Sequence, residues 1–82
     1  HVDHHCRIGA HVHIAPGVAM SGACTVEDGA FIGVGATLIQ GICIGVDAVV
    51  AAGAVVVADV PAGALVKGVP AREDGDHRNV RI

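Results

Sequence analysis

The 82-residue sequence fits one small domain, and its composition excludes an ordinary globular core. It is 52% hydrophobic with 12 glycines, yet Phe31 is its one aromatic residue. A core of this composition has to be built from thin layers of Val, Ile and Ala. The formal charge of −3 and the lack of a basic stripe argue against a nucleic-acid partner. Because no apolar run is long enough for a membrane span, we expect a cytoplasmic protein with no membrane partner.

A period of six residues runs through the sequence and starts at its second residue. Each sixth residue is aliphatic or Met: Val2, Ile8, Ile14, Met20, Val26, Ile32, Leu38, Ile44, Val50 and Val56. Neither a helical period of 3.6 nor simple alternation generates this series. The hexad therefore predicts a short strand followed by a corner, repeated along the chain.

A second apolar series supports this prediction, since it lies four residues after the first. Its members are small or medium in size: Cys6, Val12, Val18, Cys24, Ala30, Ala36, Ile42, Ala48, Ala54 and Val60. Glycine follows the first series at Gly9, Gly33 and Gly45, where we expect the backbone to turn. The odd number of cysteines favours a reducing compartment, with Cys6 and Cys24 as small buried hydrophobic residues.

Three hexads make one triangular coil, so residues separated by three hexads should lie above one another at a strand spacing of about 4.8 Å. The chain holds a little over three such coils. Three predicted stacks contain histidines at their base: His4 below Gly22 and Gln40; His5 below Ala23, Gly41 and Asp59; and His13 below Phe31, Val49 and Lys67.

Several short motifs resemble the hexapeptide-repeat acyltransferases. These are residues 2–9, His13-Ile14-Ala15-Pro16-Gly17, residues 32–36 and the segment Gly68-Val69-Pro70-Ala71-Arg72. Within that family, the sequence is most similar to bacterial sialic acid O-acetyltransferases and nucleotide-sugar N-acetyltransferases. The resemblance implies an all-β, left-handed parallel β-helix of about three coils that assembles into a homotrimer.

Five of the six histidines lie between His1 and His13, and imidazole is the side chain best suited to accept a proton at neutral pH. The resemblance implies that His4 is the general base for the acceptor's hydroxyl or amine. It implies that His13 donates a hydrogen bond to the acetyl carbonyl oxygen. Position 5 is acidic in the family, whereas here it is His5, which supplies no fixed negative charge to stabilise a protonated His4.

The resemblance also implies acetyl-CoA as co-substrate, a sugar-like acceptor and no metal. The cofactor is expected between neighbouring chains, with backbone contacts near Gly22, Val34 and Ala52. Lys67 and Arg72 are the candidate partners of its phosphates. Ala52 stands where the family has a glycine.

We expect a β-helix domain over residues 1–70 and a polar C-terminal tail over 71–82. The tail follows Pro61, which interrupts the strand pattern near the C-terminal end of the prism. Residues 1–3 are already in the hexad register, which indicates a truncated or minimal member of the family.

Two other interpretations stay open. A catalytically weak or inactive trimeric module that lacks its N-terminal substrate domain is one, since His5 replaces the acidic residue. A γ-carbonic-anhydrase-like zinc enzyme is the other, because that class shares the trimeric prism and binds zinc with three histidines. After His13 the next histidine is His77, so the ligand set for zinc looks incomplete.

Overall fold

The structure, a computed structural model, describes residues 5–76. This part of the chain contains only β-strands and turns, and no helix in it is long and apolar enough to cross a membrane. The eleven strands are β1 Arg7–Ile8, β2 His13–Ile14, β3 Ala19–Met20, β4 Thr25–Val26, β5 Phe31–Ile32, β6 Thr37–Leu38, β7 Cys43–Ile44, β8 Val49–Val50, β9 Val55–Val56, β10 Ala64–Lys67 and β11 Arg72–Asp76.

The strands form three sheets, which are the faces of a triangular prism. Paired strands are parallel in all three sheets, apart from the last pair, β10 and β11. Face 1 contains β1, β4 and β7; face 2 contains β2, β5, β8 and β10, with β11 at its edge; face 3 contains β3, β6 and β9. Among β1 to β9, paired residues are separated by three hexads on every face, as in Arg7 with Thr25, His13 with Phe31, and Ala19 with Thr37. The predicted all-β parallel β-helix of hexapeptide repeats, with about three coils, is therefore confirmed.

Both apolar series point into the prism, because each hexad turns the same two positions inward. Met20, Ile32, Leu38 and Ile44 from the first series are at most 1% exposed, and Cys24, Ala36, Ala48 and Ala54 from the second are fully buried. The first coil is the exception. Ile8 is 43% exposed and Ile14 is half-buried, since in residues 5–76 β1 and β2 pair on one side only.

Three corners join the faces: corner 1/2 over residues 9–12, 27–30 and 45–48; corner 2/3 over 15–18, 33–36 and 51–54; and corner 3/1 over 21–24 and 39–42. Each corner holds a residue with positive φ at the same place in successive coils, such as Gly17, Gly35 and Gly53.

The glycines that follow the first series begin the corners, where we expected the backbone to turn. Gly9, Gly33 and Gly45 are not at positive φ. A Cβ on Gly33 would lie 2.6 Å from the backbone nitrogen of Ala52. These glycines are therefore required because the next coil passes too close for a side chain, and not because they adopt a positive φ.

The last coil is shorter than three hexads, which corrects three of the predicted positions. Val60 pairs with Ile44, so it occupies a first-series position and not the second-series position we expected. Asp59 lies beside Cys43 and not above Gly41, and its Oδ1 accepts the Cys43 backbone N–H at 2.8 Å. The corner between Val56 and Val60 is two residues shorter than the other corners, and this shortening moves every later residue.

The same shortening changes the top of the His13 stack. Leu65 pairs with Val49, so Leu65 continues this stack where Lys67 was predicted. Lys67 lies two residues beyond the predicted position, at the end of β10.

The chain then reverses direction and adds an antiparallel strand. In the β10–β11 hairpin, Val66 is opposite Glu73 and Lys67 is opposite Arg72. The first part of the predicted polar tail thus covers the outer edge of β10, while residues 77–82 lie outside the described residues. An edge covered in this way no longer offers free backbone groups to other strands.

The two valines Val50 and Val46 give a matched test of the core. Val50 is fully buried, whereas Val46, in corner 1/2, is 41% exposed. Val50→Ala should lower the free energy of unfolding by about 1.5–3 kcal/mol, because it removes buried apolar surface and leaves a cavity between coils. Val46→Ala should cost clearly less in the same experiment. The measurement is chemical denaturation followed by far-UV circular dichroism, since the sequence has no Trp or Tyr. Equal losses for the two variants would contradict this assignment of the core.

Candidate active site

Two of the predicted catalytic histidines, His5 and His13, lie in different parts of the prism. His5 is exposed in the turn before β1, and Ala23 and Gly41 occupy the equivalent corner 3/1 positions of the next two coils. His13 begins β2 and is exposed on face 2. His4, the predicted general base, directly precedes His5 in the sequence and lies outside the described residues.

In a triangular prism, corner 3/1 is the edge opposite face 2. Gly22 lies in corner 3/1, where its carbonyl oxygen accepts the Gly41 N–H at 3.0 Å. His5 and Gly22 are therefore on one side of the molecule, and His13 is on the other. One chain does not bring these predicted site residues into a single groove.

Four of the predicted cofactor-binding residues lie on the same side of the prism as His13, along face 2 and corner 2/3. Val34 and Ala52 are in equivalent positions of successive coils, and both are exposed. The Val34 carbonyl accepts the Gly53 N–H at 2.8 Å, which fixes this corner from one coil to the next. Lys67 and Arg72 are exposed at the C-terminal end of the same face.

The Lys67 side chain has a partner that sequence reasoning missed. Its Nζ lies 2.8 Å from Oδ2 of Asp74, and the two side chains are 62% and 52% exposed. The pair forms because β11 returns antiparallel to β10. No local pattern in the sequence signals this contact, since it depends on the chain reversal between the two strands.

The imidazole of His13 stacks on the ring of Phe31. The ring centroids are 4.7 Å apart and the planes are 7° from parallel. The vertical relation of these residues follows from the register of three hexads and was predicted. The flat contact between the two rings was not, because it depends on the side-chain rotamers that both residues adopt.

No cluster of three or more His, Cys, Asp or Glu side chains able to hold a metal occurs between residues 5 and 76. The same part of the chain encloses no pocket. Face 2 and corner 2/3 present the exposed imidazole of His13 and the exposed cations Lys67 and Arg72. They also present the exposed apolar side chains of Phe31 and Val34.

Comparison with known proteins places these features in a family. Residues 23–58 match the model of the hexapeptide repeat of succinyl-transferase. The tetrahydropyridine-dicarboxylate N-acetyltransferase of Clostridium perfringens is 44% identical over 69 residues, which are 74% of this chain and 29% of that protein.

Two solved structures extend the similarity to three dimensions. A perosamine N-acetyltransferase mutant from Caulobacter crescentus, in complex with CoA and GDP-perosamine, superimposes with a TM-score of 0.85 at 49% identity. The acetyltransferase domain of PglB from Neisseria gonorrhoeae, in complex with acetyl coenzyme A, gives 0.87 at 41% identity. The chain belongs to the hexapeptide-repeat acetyltransferase family.

This hexapeptide-repeat chain spans only part of its relatives. It covers 29% of the Clostridium perfringens protein, and 34% and 36% of the two solved chains. In the opposite direction, those two structures account for 88% and 89% of this chain. The shared region is thus the β-helix itself.

The three cysteines of the hexapeptide-repeat chain are free thiols. Cys24 is fully buried, as we predicted, and Cys6 is half-buried against the core. Burial raises the pKa of the Cys24 thiol. Burial, followed by the negative charges of Glu27 and Asp59, raises the pKa of the Cys43 thiol.

These shifts predict slow alkylation of Cys24 and Cys43, because the thiolate is the reactive form. In native protein at mildly alkaline pH, iodoacetamide should leave Cys24 unmodified and label Cys43 more slowly than an ordinary exposed thiol. The Cys43 rate should rise as the pH rises toward its increased pKa. Peptide mass spectrometry measures the labelling of each cysteine, and protein unfolded in guanidinium is the control in which all three react. Rapid labelling of Cys24 in the native protein would be inconsistent with this core.

Proposed function

We propose that this chain is the β-helix part of an acetyl-CoA-dependent acetyltransferase that works as a homotrimer. Two observations support the proposal. The chain is 41% identical to an acetyltransferase domain whose structure holds acetyl coenzyme A. Among the described residues, His5 and Gly22 lie on the opposite side of the prism from His13, so a site that uses all three requires a second chain.

Exposed apolar side chains support the pairing of these two sides. Ile39 and Val57 are 40% and 47% exposed at the corner 3/1 side, and Phe31 and Val34 are 42% and 57% exposed on face 2 and corner 2/3. Apolar residues that form a contiguous exposed patch mark interaction sites. A closed threefold ring would place corner 3/1 of one chain against face 2 of the next in all three interfaces.

The proposed reaction is direct acetyl transfer. His4 of one chain takes a proton from the hydroxyl or amine of the acceptor, whose oxygen or nitrogen attacks the carbonyl carbon of the thioester. His13 of the neighbouring chain donates a hydrogen bond to the carbonyl oxygen as negative charge develops there. The carbon–sulfur bond then breaks, and CoA leaves as a thiol after it receives the proton from His4.

The acetyl-CoA would lie along corner 2/3, near Val34 and Ala52, with Gly22 of the neighbouring chain on the other wall. Its phosphates would meet Lys67 and Arg72. The ion pair between Lys67 and Asp74 is exposed, and such pairs stabilise by only about 0.2–1 kcal/mol, so Asp74 can yield to a phosphate.

The acceptor class is a small sugar-like molecule with a free hydroxyl or amine. The structure of the Caulobacter crescentus relative contains GDP-perosamine, an amino sugar nucleotide. We also propose that this reaction takes place in the cytoplasm.

The residue at position 5 favours a second candidate, a trimeric module with little or no activity. His5 carries no fixed negative charge, so it does not stabilise a protonated His4 as a carboxylate would. Titration calorimetry with acetyl-CoA separates the candidates when combined with an activity assay. Binding without transfer to any acceptor supports the module. A gain in kcat for His5→Glu supports the enzyme with a weakened base.

Matched histidine variants test the catalytic roles. His4→Asn should lower the rate of acetyl transfer by about 10²–10⁴-fold, because the general base is lost. His13→Asn should also lower kcat. His11→Asn is the control, since His11 is an exposed histidine on corner 1/2 and Asn tolerates its positive φ of 58°. Release of the CoA thiol is measured with a panel of amino sugars and sialic acids as acceptors. Undiminished activity of His4→Asn would remove this mechanism.

Subunit mixing tests whether the site is shared between chains. Light scattering should give three times the chain mass of 8.1 kDa. When inactive His4→Asn and His13→Asn chains are refolded together at equal amounts, random assortment should make about one quarter of the interfaces intact and restore activity accordingly. The separately refolded variants are the control. A monomer in light scattering, or no recovery in a verified mixed trimer, would defeat the shared site.

A further inference from the structure

The one aromatic residue of this sequence stands directly on the histidine that is proposed to contact the acetyl group. Phe31 is the in-register neighbour of His13, and Val49 is the neighbour of Phe31 on the other side. Phe31 thus lies between these two residues in the ladder, with 42% of the residue still exposed. The other outward residues of this ladder, Val49 and Leu65, are aliphatic.

The contact between the two rings is flat and close. Their centroids are 4.7 Å apart and their planes are 7° from parallel, which is the range of offset aromatic stacking. An exposed histidine ring otherwise turns freely about the bond to its Cβ, because that torsion is broad. The flat surface of Phe31 favours the orientations in which the imidazole lies parallel to it.

Stacking leaves the chemistry of the imidazole available. The ring nitrogens of histidine lie in the plane of the ring, and their hydrogen bonds point outward from its edge. Phe31 covers a face of the ring and does not compete for either nitrogen. The imidazole is therefore held in one plane, with its N–H free to point along the surface of face 2.

We propose that Phe31 is a positioning residue that holds the His13 imidazole in the plane from which it donates to the acetyl carbonyl oxygen. The inference rests on the proposed function of His13. It adds a residue that touches neither acetyl-CoA nor acceptor and that acts through the histidine. Orientation of this kind lowers the barrier because the donor does not have to be ordered during the reaction.

Three variants test the role by kinetics. Phe31→Leu keeps an apolar side chain and removes the flat ring, so kcat should fall about three- to tenfold while KM for acetyl-CoA changes less than twofold. Phe31→Tyr keeps the ring and should retain the parent kcat. Thr25→Val, at the equivalent outward place on face 1, is the control for substitution in the middle coil. The assay uses acetyl-CoA and the amino sugar or sialic acid that the parent protein acetylates fastest.

A double variant shows whether Phe31 acts through His13. In the His13→Asn background, Phe31→Leu should produce no further loss of kcat, because the group it positions is gone. If the two losses multiply, or if kcat of Phe31→Leu equals that of the parent protein while His13→Asn is impaired, the positioning role is overturned and the proposed function stands.

A readout independent of activity is the proton NMR spectrum of the His13 ring. In the parent protein and Phe31→Tyr, the ring current of the neighbour should shift the His13 ring-proton resonances upfield, and Phe31→Leu should remove this shift. Unchanged His13 resonances in Phe31→Leu would overturn the stacking in solution. If the parent protein shows the ring-current shift but transfers no acetyl group, the proposed function is overturned instead. The contact between the rings then has no catalytic role.

Discussion

The structure depends on one constraint, the in-register hydrogen bonding of each coil to the next. Each short strand of the first three coils contributes only two residues, so a single coil cannot hold itself together. Backbone bonds such as Ala15 N–H to Ile32 O at 2.9 Å and Gly33 N–H to Val50 O at 2.8 Å repeat along every face. This pairing fixes residues three hexads apart above one another and makes each core layer depend on its neighbours.

The same constraint explains where the sequence tolerates little change. Coils that are bonded at strand spacing leave no room for a side chain at Gly33 or Gly45, because the backbone of the next coil lies there. It also explains how a small change propagates. The corner before Val60 is two residues shorter, so the last coil closes early and brings Leu65 above Val49. The chain then ends the stack with an antiparallel strand, which covers the open edge of β10.

For function, the important consequence is that a prism separates residues that are close in sequence. His5 and His13 both belong to the first coil, but face 1 lies between them, so they face opposite sides of the chain. A site that uses both regions has to be completed by a second chain. Four of the seven large apolar residues exposed within the described part of the chain, Ile39, Val57, Phe31 and Val34, lie on these same two sides. Catalysis and assembly are therefore linked in the proposed enzyme.

The sequence by itself determined the β-helix, the inward-facing series and the alignment of Phe31 above His13, because a repeat of six translates directly into position on a prism. It did not determine the length of the last coil, since Val60 fits either apolar series by residue type. Nor did it determine the Lys67–Asp74 pair or the parallel rings of His13 and Phe31. These features were decided by the tertiary structure, because they depend on a chain reversal and on side-chain rotamers that no periodicity encodes.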